Sequence, residues 1–295
     1  MSDPTAQQSY QTAAMHCAER VTLPLKSHVW KGQAGDFLGS STGSSLDFQD
    51  HRNYVPGDDP RHINWQAYAR TGTYTMKQYR EEVRPTLDVI LDLSPSMFFD
   101  PLKEKRSCEL FYLLHTIALR NGADLNSHLI LGPQTRPISS DSIHTRQWTQ
   151  HMPKKVDEEM TIPPAIQQIP LRHNSIRVFI SDLLFEADPS PIISSLTSRQ
   201  GKLIVLAPFL NSEARPEWSG NYDFIDAELQ TKHPHRIDIS TLKKYKEKYA
   251  NHFKLWFNAV QKHQAPMARI CCDQELFDSL QTEAIPNQAL QLIQT

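Results

Sequence analysis

The chain has 295 residues, enough for one large domain or two modest ones at roughly 100 to 200 residues each. With 39% hydrophobic residues, 12 Phe, 9 Tyr, 5 Trp and only 10 Gly, it is neither fibrous nor disordered in composition. Its 31 basic and 33 acidic side chains leave a net charge of −2, which argues against a chain-wide nucleic-acid or anionic-membrane binder; any such role needs a local patch.

Residues 1 to 25 are polar, and 31 to 50 are rich in Gly, Ser and Asp, so the first fifty residues read as loop and short strand. GSSTG at Gly39 to Gly43 matches the Gly-x-Ser-x-Gly spelling of a hydrolase elbow. That elbow needs a buried strand before the Ser and a helix after it, and Ser41 is flanked by polar loop instead. From Arg52 to Arg84 the chain is dense in aromatics and charge. Two readings fit the Gly57-Asp58-Asp59-Pro60-Arg61 turn. Arg61, Trp65 and Arg70 can form a partner-binding surface, since Arg and aromatic residues anchor interfaces. Alternatively the turn is backbone chemistry, with Arg61 and Arg70 pairing with Asp58, Glu81 or Glu82 to pin the N-terminal segment onto the domain C-terminal to it.

After Pro85 the pattern changes to short, nearly continuous apolar runs at Leu87 to Leu91, His128 to Leu131, Ile176 to Ile180, Leu203 to Ala207 and Arg269 to Cys271. Such runs suit parallel strands covered on both faces. Between the first two, Leu110, Leu113 and Ile117 with Phe111, Leu114 and Ala118 predict an amphipathic helix stopped by Asn121-Gly122. A second helix is predicted after Asp188, ending at Gly201. A third follows Ser240, with Leu242, Tyr245, Tyr249, Phe253, Trp256 and Val260 at spacings of three and four. Strand and helix alternate, which predicts a doubly wound, mostly parallel α/β domain over residues 85–283. A strand-containing N-terminal extension (1–84) precedes it and a tail (284–295) follows.

Lys232 to Lys262 holds eight Lys or Arg against Asp238 and Glu247. A nucleic-acid interface would use the lysines on phosphates and the rings for stacking. The rings fall on one helical stripe, however, as a core-facing helix with a solvated basic face requires. The 13 His show no metal spacing, and Cys17, Cys108, Cys271 and Cys272 include no C-x-x-C pair, which suits neither a zinc site nor a disulfide framework. The longest apolar run, LIVLAPFL, is far short of the roughly 18 residues a membrane helix needs. A soluble, cytoplasmic protein without membrane insertion is expected.

In open α/β sheets ligands bind beyond the carboxyl ends of the strands. There the chain places Asp92-Leu93-Ser94-Pro95-Ser96 and, after a later strand, Ser181-Asp182. One carboxylate and two hydroxyls on alternate residues form an all-oxygen set suited to a hard cation such as Mg²⁺ at about 2.1 Å. Asp182 can complete the charge balance directly or through water. Thr161, ahead of a predicted helix leading into the Asp182 strand, offers a further hydroxyl or serves only as a helix cap. The competing reading of the Asp92 loop is a turn whose Asp and Ser side chains satisfy backbone N–H groups.

DLSPSM after LDVIL resembles the metal-ion-dependent adhesion site of von Willebrand factor A-like domains. The preceding FQDHRNYVPGDDPRHINWQAYARTGTYTMKQYREE closely resembles the signature of the domain of unknown function 58 family, bacterial proteins usually encoded beside MoxR-type AAA ATPases. The resemblance spans Asp47 to Met97 and, more faintly, Thr161 to Glu228. It implies Asp92, Ser94 and Ser96 as first-loop ligands, Thr161 as the second-loop hydroxyl and Asp182 as the third-loop acid, with an open position for a partner's carboxylate. Two departures stand out. Glu158-Glu159-Met160 precedes Thr161 where a Gly-rich lead is common, and Leu183-Leu184 follows Asp182 where Gly is frequent. Together the residues and the resemblance lead us to expect a non-enzymatic, Mg²⁺-dependent interaction module (Mn²⁺ or Ca²⁺ being alternatives) that works with a MoxR-type ATPase on a client protein. The alternatives are a metal-dependent hydrolase at Asp92, which lacks an evident base or nucleophile, and nucleic-acid binding through residues 232–262.

Overall fold

The computed structural model describes residues 4–25, 46–81, 85–152, 165–226 and 231–293. In chain order the elements are α1 (Pro4–Cys17), β1 (Val21–Thr22), β2 (Leu46–Asn53), α2 (Trp65–Thr71), β3 (Thr75–Glu81), β4 (Thr86–Asp92), α3 (Pro101–Arg120), β5 (Asp124–Leu131), β6 (Gln134–Ile138), α4 (Ser140–His144), β7 (Ile176–Ile180) and α5 (Pro189–Leu196). They continue with β8 (Lys202–Phe209), α6 (Asn211–Ala214), β9 (Gly220–Ile225), β10 (Lys232–Ile237), α7 (Ile239–Lys262), β11 (Met267–Cys271), α8 (Leu276–Ser279) and β12 (Gln291–Leu292). The chain divides into two units, Met1–His28 with Pro85–Thr295 and Val29–Arg84.

In the larger unit the five apolar runs become β4, β5, β7, β8 and β11, parallel neighbours in a six-stranded sheet of order β11-β8-β7-β4-β5-β6. The sixth strand, β6, pairs antiparallel with β5 across a turn in which Gly132 takes a φ of 51°. Its sequence, QTRPI, is polar and carries a Pro, as tolerated only at a sheet edge; sequence periodicity therefore gave no sign of it. Ile90, Phe179 and Val205 lie side by side in register and pack against Ile193 and Leu196 of α5 and Trp256 and Val260 of α7. α3 contacts β4, β5, β7 and β8 without joining that cluster, so helices cover both faces. α3 ends where predicted, capped by Asn121 with Gly122 at a φ of 61°. The ring stripe of α7 faces inward as its spacing predicts, with Phe253, Trp256 and Val260 buried and the exposed lysines on the far side.

Three expectations are corrected. Residues 4–17 are helix, not loop, and with 21–25 they belong to the α/β unit rather than to an extension. α1 packs on α3 through small and polar residues: Gln7 approaches Cys108, and its Oε1 accepts from the Tyr112 hydroxyl at 3.0 Å. Its apolar stripe was therefore too weak to read. The 284–295 segment is not a detached tail, since Leu290 is buried and β12 pairs antiparallel with β1. Where a helix is expected ahead of β7, the described residues from 165 on form a 3-10 turn, Ile166–Gln168, and residues 153–164 lie outside the described ones.

The smaller unit joins β2 and β3 antiparallel, with an irregularity between Phe48 and Asp50. Between them Asp59 caps a 3-10 turn (Pro60–His62), Asn64 caps α2, and Gly72, at a φ of 69°, ends it. GSSTG lies outside the described residues.

Candidate metal centre at the strand ends

β4 is laid down first, α3 carries the chain to β5 on one side, and the chain later returns to β7 on the other. The reversal opens a crevice between β4 and β7 at their carboxyl ends, where open α/β sheets bind ligands. Because Leu91 pairs with Ile180, Asp92 and Ser181 emerge together. Asp92 is fully buried; its Oδ1 accepts from the Ser94 N–H at 2.9 Å and its Oδ2 from the Ser181 hydroxyl at 2.7 Å. Ser94 then opens a 3-10 turn, Pro95–Met97, which brings the Ser94 and Ser96 hydroxyl oxygens to 3.1 Å from each other. Burial first, and the neighbouring Asp182 second, raise the pKa of Asp92 to about 7 against the opposing hydrogen bonds from Ser181 and Ser94.

Asp182 is nine-tenths or more buried and fully engaged. Its Oδ1 accepts from the Leu184 N–H at 3.1 Å, and its Oδ2 lies 2.7 Å from the Lys103 ammonium. Lys103 sits in the first turn of α3 with no exposed surface, and its Nζ also meets Glu213 Oε1 at 2.7 Å. Burial alone would lower the pKa of Lys103, but Asp182 and Glu213 reverse that and hold it above the ordinary lysine value. Glu213 comes from α6, beyond the end of β8, and is itself oriented by the Leu210 N–H on its Oε2 at 3.0 Å. Leu183, where Gly is frequent in similar loops, takes a φ of 61°, a conformation that costs a non-glycine residue roughly 1 to 2 kcal/mol. Complete burial of its side chain among Phe179, Ile193 and Trp256 offsets that cost.

Four of the five expected site residues, Asp92, Ser94, Ser96 and Asp182, thus meet at one sheet end; Thr161 lies outside the described residues. Sequence reasoning missed Lys103 and Glu213. Their only signal was position: a Lys in the first turn of the helix after the Asp-x-Ser-x-Ser loop, and an acid just past β8, the strand that follows the Asp182 loop. Among the described residues no group of three or more His, Cys, Asp or Glu is placed to hold a metal. The donors that fit a cation are therefore mainly neutral. At about 2.1 Å from an octahedral ion, adjacent ligand oxygens stand about 3.0 Å apart, close to the Ser94–Ser96 separation. Asp92 and Asp182 fit behind them as charge-balancing acids.

Arg61, Trp65 and Arg70 all lie in the smaller unit. Arg61 pairs with Asp59 at 2.7 Å, while Asp58 takes Arg52 at 2.6 Å, so the expected pairing of Arg61 with Asp58 is replaced by a contact within the turn; Glu82 and the Glu81 side chain lie outside the described residues. Trp65 is 58% exposed and stands edge-on to Tyr68 and Tyr74, which stack on each other at 4.4 Å. All four cysteines are buried and unpaired, and no helix among the described residues is long and apolar enough to cross a membrane.

The architecture is thus that of a mixed α/β protein with a mostly parallel central sheet and a polar crevice at its switch point. The family model "Protein of unknown function DUF58" matches residues 50–254, and the chain belongs to that family. Among curated proteins none matches. Solved structures that resemble it include two from Bacteroides. One is an aerotolerance-related membrane protein from Bacteroides fragilis carrying multiple mutations to serines (16% identity, 60% of this chain and 97% of that one, TM-score 0.32). The other is the conserved hypothetical protein BatB from Bacteroides thetaiotaomicron (11% identity, 68% and 98%, TM-score 0.32). Likenesses this distant carry no argument about the site.

Proposed function

We propose that this protein is a von Willebrand factor A-like, divalent-cation-dependent protein-interaction module whose ion is Mg²⁺, held by Ser94 and Ser96 with Asp92 and Asp182 behind them. The observation that carries the reading is the hydroxyl pair, 3.1 Å apart and backed by a buried carboxylate at the topological switch point. Hydroxyls do not cancel the charge of a divalent ion, so a bound Mg²⁺ would supply residual positive charge at the crevice mouth, which favours a carboxylate from a partner. Ser181 and the Ser94 N–H orient Asp92, Lys103 orients Asp182, and no catalytic step is assigned to these groups. The partner, on the resemblance of the 47–97 segment, is a MoxR-type AAA ATPase or its client, with Arg61, Trp65 and Arg70 as a second contact surface.

Binding to the folded state alone raises the unfolding temperature. Millimolar Mg²⁺ is therefore expected to raise the melting temperature of the parent relative to EDTA, and to raise that of Ser94→Ala/Ser96→Ala much less. A pull-down against a MoxR-type AAA ATPase from the same organism should succeed in Mg²⁺ and fail in EDTA. Equal melting temperatures in both buffers, or equal capture, would remove the reading.

A further inference from the structure

Lys103 is a long, strongly hydrated side chain with no surface in contact with water, bonded to two carboxylates from two different strand-end loops. Ordinary helix surfaces do not bury lysine in this way. The second carboxylate is not incidental, because Glu213 is held by the Leu210 N–H and its segment is tied to α7 by the Tyr245 hydroxyl, which donates to the Glu213 carbonyl oxygen at 2.9 Å. Among the described residues, the crevice brings the carboxylates Asp92, Asp182 and Glu213 together with the Lys103 ammonium. The ammonium takes one oxygen of the acid expected to balance a metal, and the Phe99 ring stands 5.6 Å from it.

We propose that Lys103 is a built-in counter-cation that sets the strength of the ion site: it neutralises Asp182 in the ion-free protein and, by repulsion, keeps divalent-ion affinity low, so that the ion is retained firmly only when a partner carboxylate adds its charge. This rests on the cation-site reading above and specifies how that site is tuned. Two unit charges interact as the inverse of their separation, and a divalent ion feels twice the repulsion from a fixed ammonium. In a partly buried crevice this amounts to a change on the order of tenfold or more in ion affinity.

The test is titration calorimetry of the full chain with Mg²⁺ and, separately, Mn²⁺, on parent, Lys103→Met, Lys103→Arg and Glu213→Gln, with circular dichroism melts in EDTA and in Mg²⁺. Lys103→Met is expected to bind the ion at least about tenfold more tightly, to melt lower than the parent in EDTA and to recover much of the loss in Mg²⁺. Lys103→Arg keeps the charge and should bind as the parent does. Glu213→Gln removes a negative charge and should bind more weakly. Should Lys103→Met fail to fold in either buffer, Glu213→Gln decides: parental affinity there overturns the proposal. If the parent binds and a folded Lys103→Met binds equally or more weakly, the counter-cation role is wrong and the ion site stands. If only Lys103→Met binds, the ammonium is the resident cation and the parent's ion dependence is wrong. If neither binds, both readings fall.

Discussion

The two ends of the central sheet both bury charge, and they do so with opposite accounting. At the amino end Asp88 is completely buried, yet it accepts from the Arg172 N–H and Nε and from the Ser175 hydroxyl, while Arg172 also reaches Asp124 at 2.8 Å. Arg177, buried beside them, spends its guanidinium on the Ser175 hydroxyl and the carbonyls of Leu196 and Arg172. Both acids are met by Arg172, and Arg199 also stands close to Arg177. At the carboxyl end, Asp182 and Glu213 share the single ammonium of Lys103, and among the described residues no ion pair reaches Asp92. A balanced network ties strands and loops together; a network short of positive charge holds potential for a ligand. At Asp92, burial first and the neighbouring Asp182 second raise the proton affinity to about 7.

The contrast can be broken most severely at the amino end. Asp88→Ala leaves Arg172 and Arg177 without their buried acid and is expected to cost about 3 to 5 kcal/mol in denaturant unfolding without altering Mg²⁺ binding. A loss under about 1 kcal/mol would show that the network is not structural.

Next in size is the acid with the raised pKa. Because the folded protein holds the Asp92 proton to about pH 7 and the ordinary value is 3.8, the stabilisation from that proton is full below about 3.8 and disappears as pH climbs to about 7. Asp92→Asn removes this dependence. In EDTA at pH 8 the variant should be more stable than the parent, by about 2 to 4 kcal/mol if its two hydrogen bonds persist. Parallel stability–pH curves for the two proteins would contradict the crowded-acid picture.

A smaller effect is expected at Gly201, whose missing side chain leaves the space that the Arg177 guanidinium fills. Gly201→Ala forces that group aside and should cost about 1 to 3 kcal/mol, again with ion binding intact. The smallest belongs to Ser96→Ala, which removes one neutral donor. We expect stability within about 1 kcal/mol of the parent, because its neighbourhood remains hydrogen-bonded, together with Mg²⁺ affinity reduced several-fold. Unchanged affinity in calorimetry would take Ser96 out of the donor set.

How much of the molecule was legible beforehand depends on the range of each interaction. The five parallel strands, the stop of α3 at Asn121-Gly122 and the inward face of α7 are local: apolar runs, a cap and a 3.6-residue period declare themselves within a dozen residues. So is the Asp92-Ser94-Ser96 loop, because its donors sit on alternate residues of one turn. α1 and β12 were illegible for the opposite reason: their stability comes from partners 100 residues or more away. β6 pairs locally, but its polar, Pro-containing edge sequence left it unmarked. By itself the sequence determined that Asp92, Ser94, Ser96 and Asp182 would stand at the carboxyl ends of the strands. Only the tertiary structure decided their charge balance, since whether Asp182 meets a metal or an ammonium depends on bringing Lys103 and Glu213, 110 positions apart in the chain, to 2.7 Å in a buried crevice where solvent screens them little.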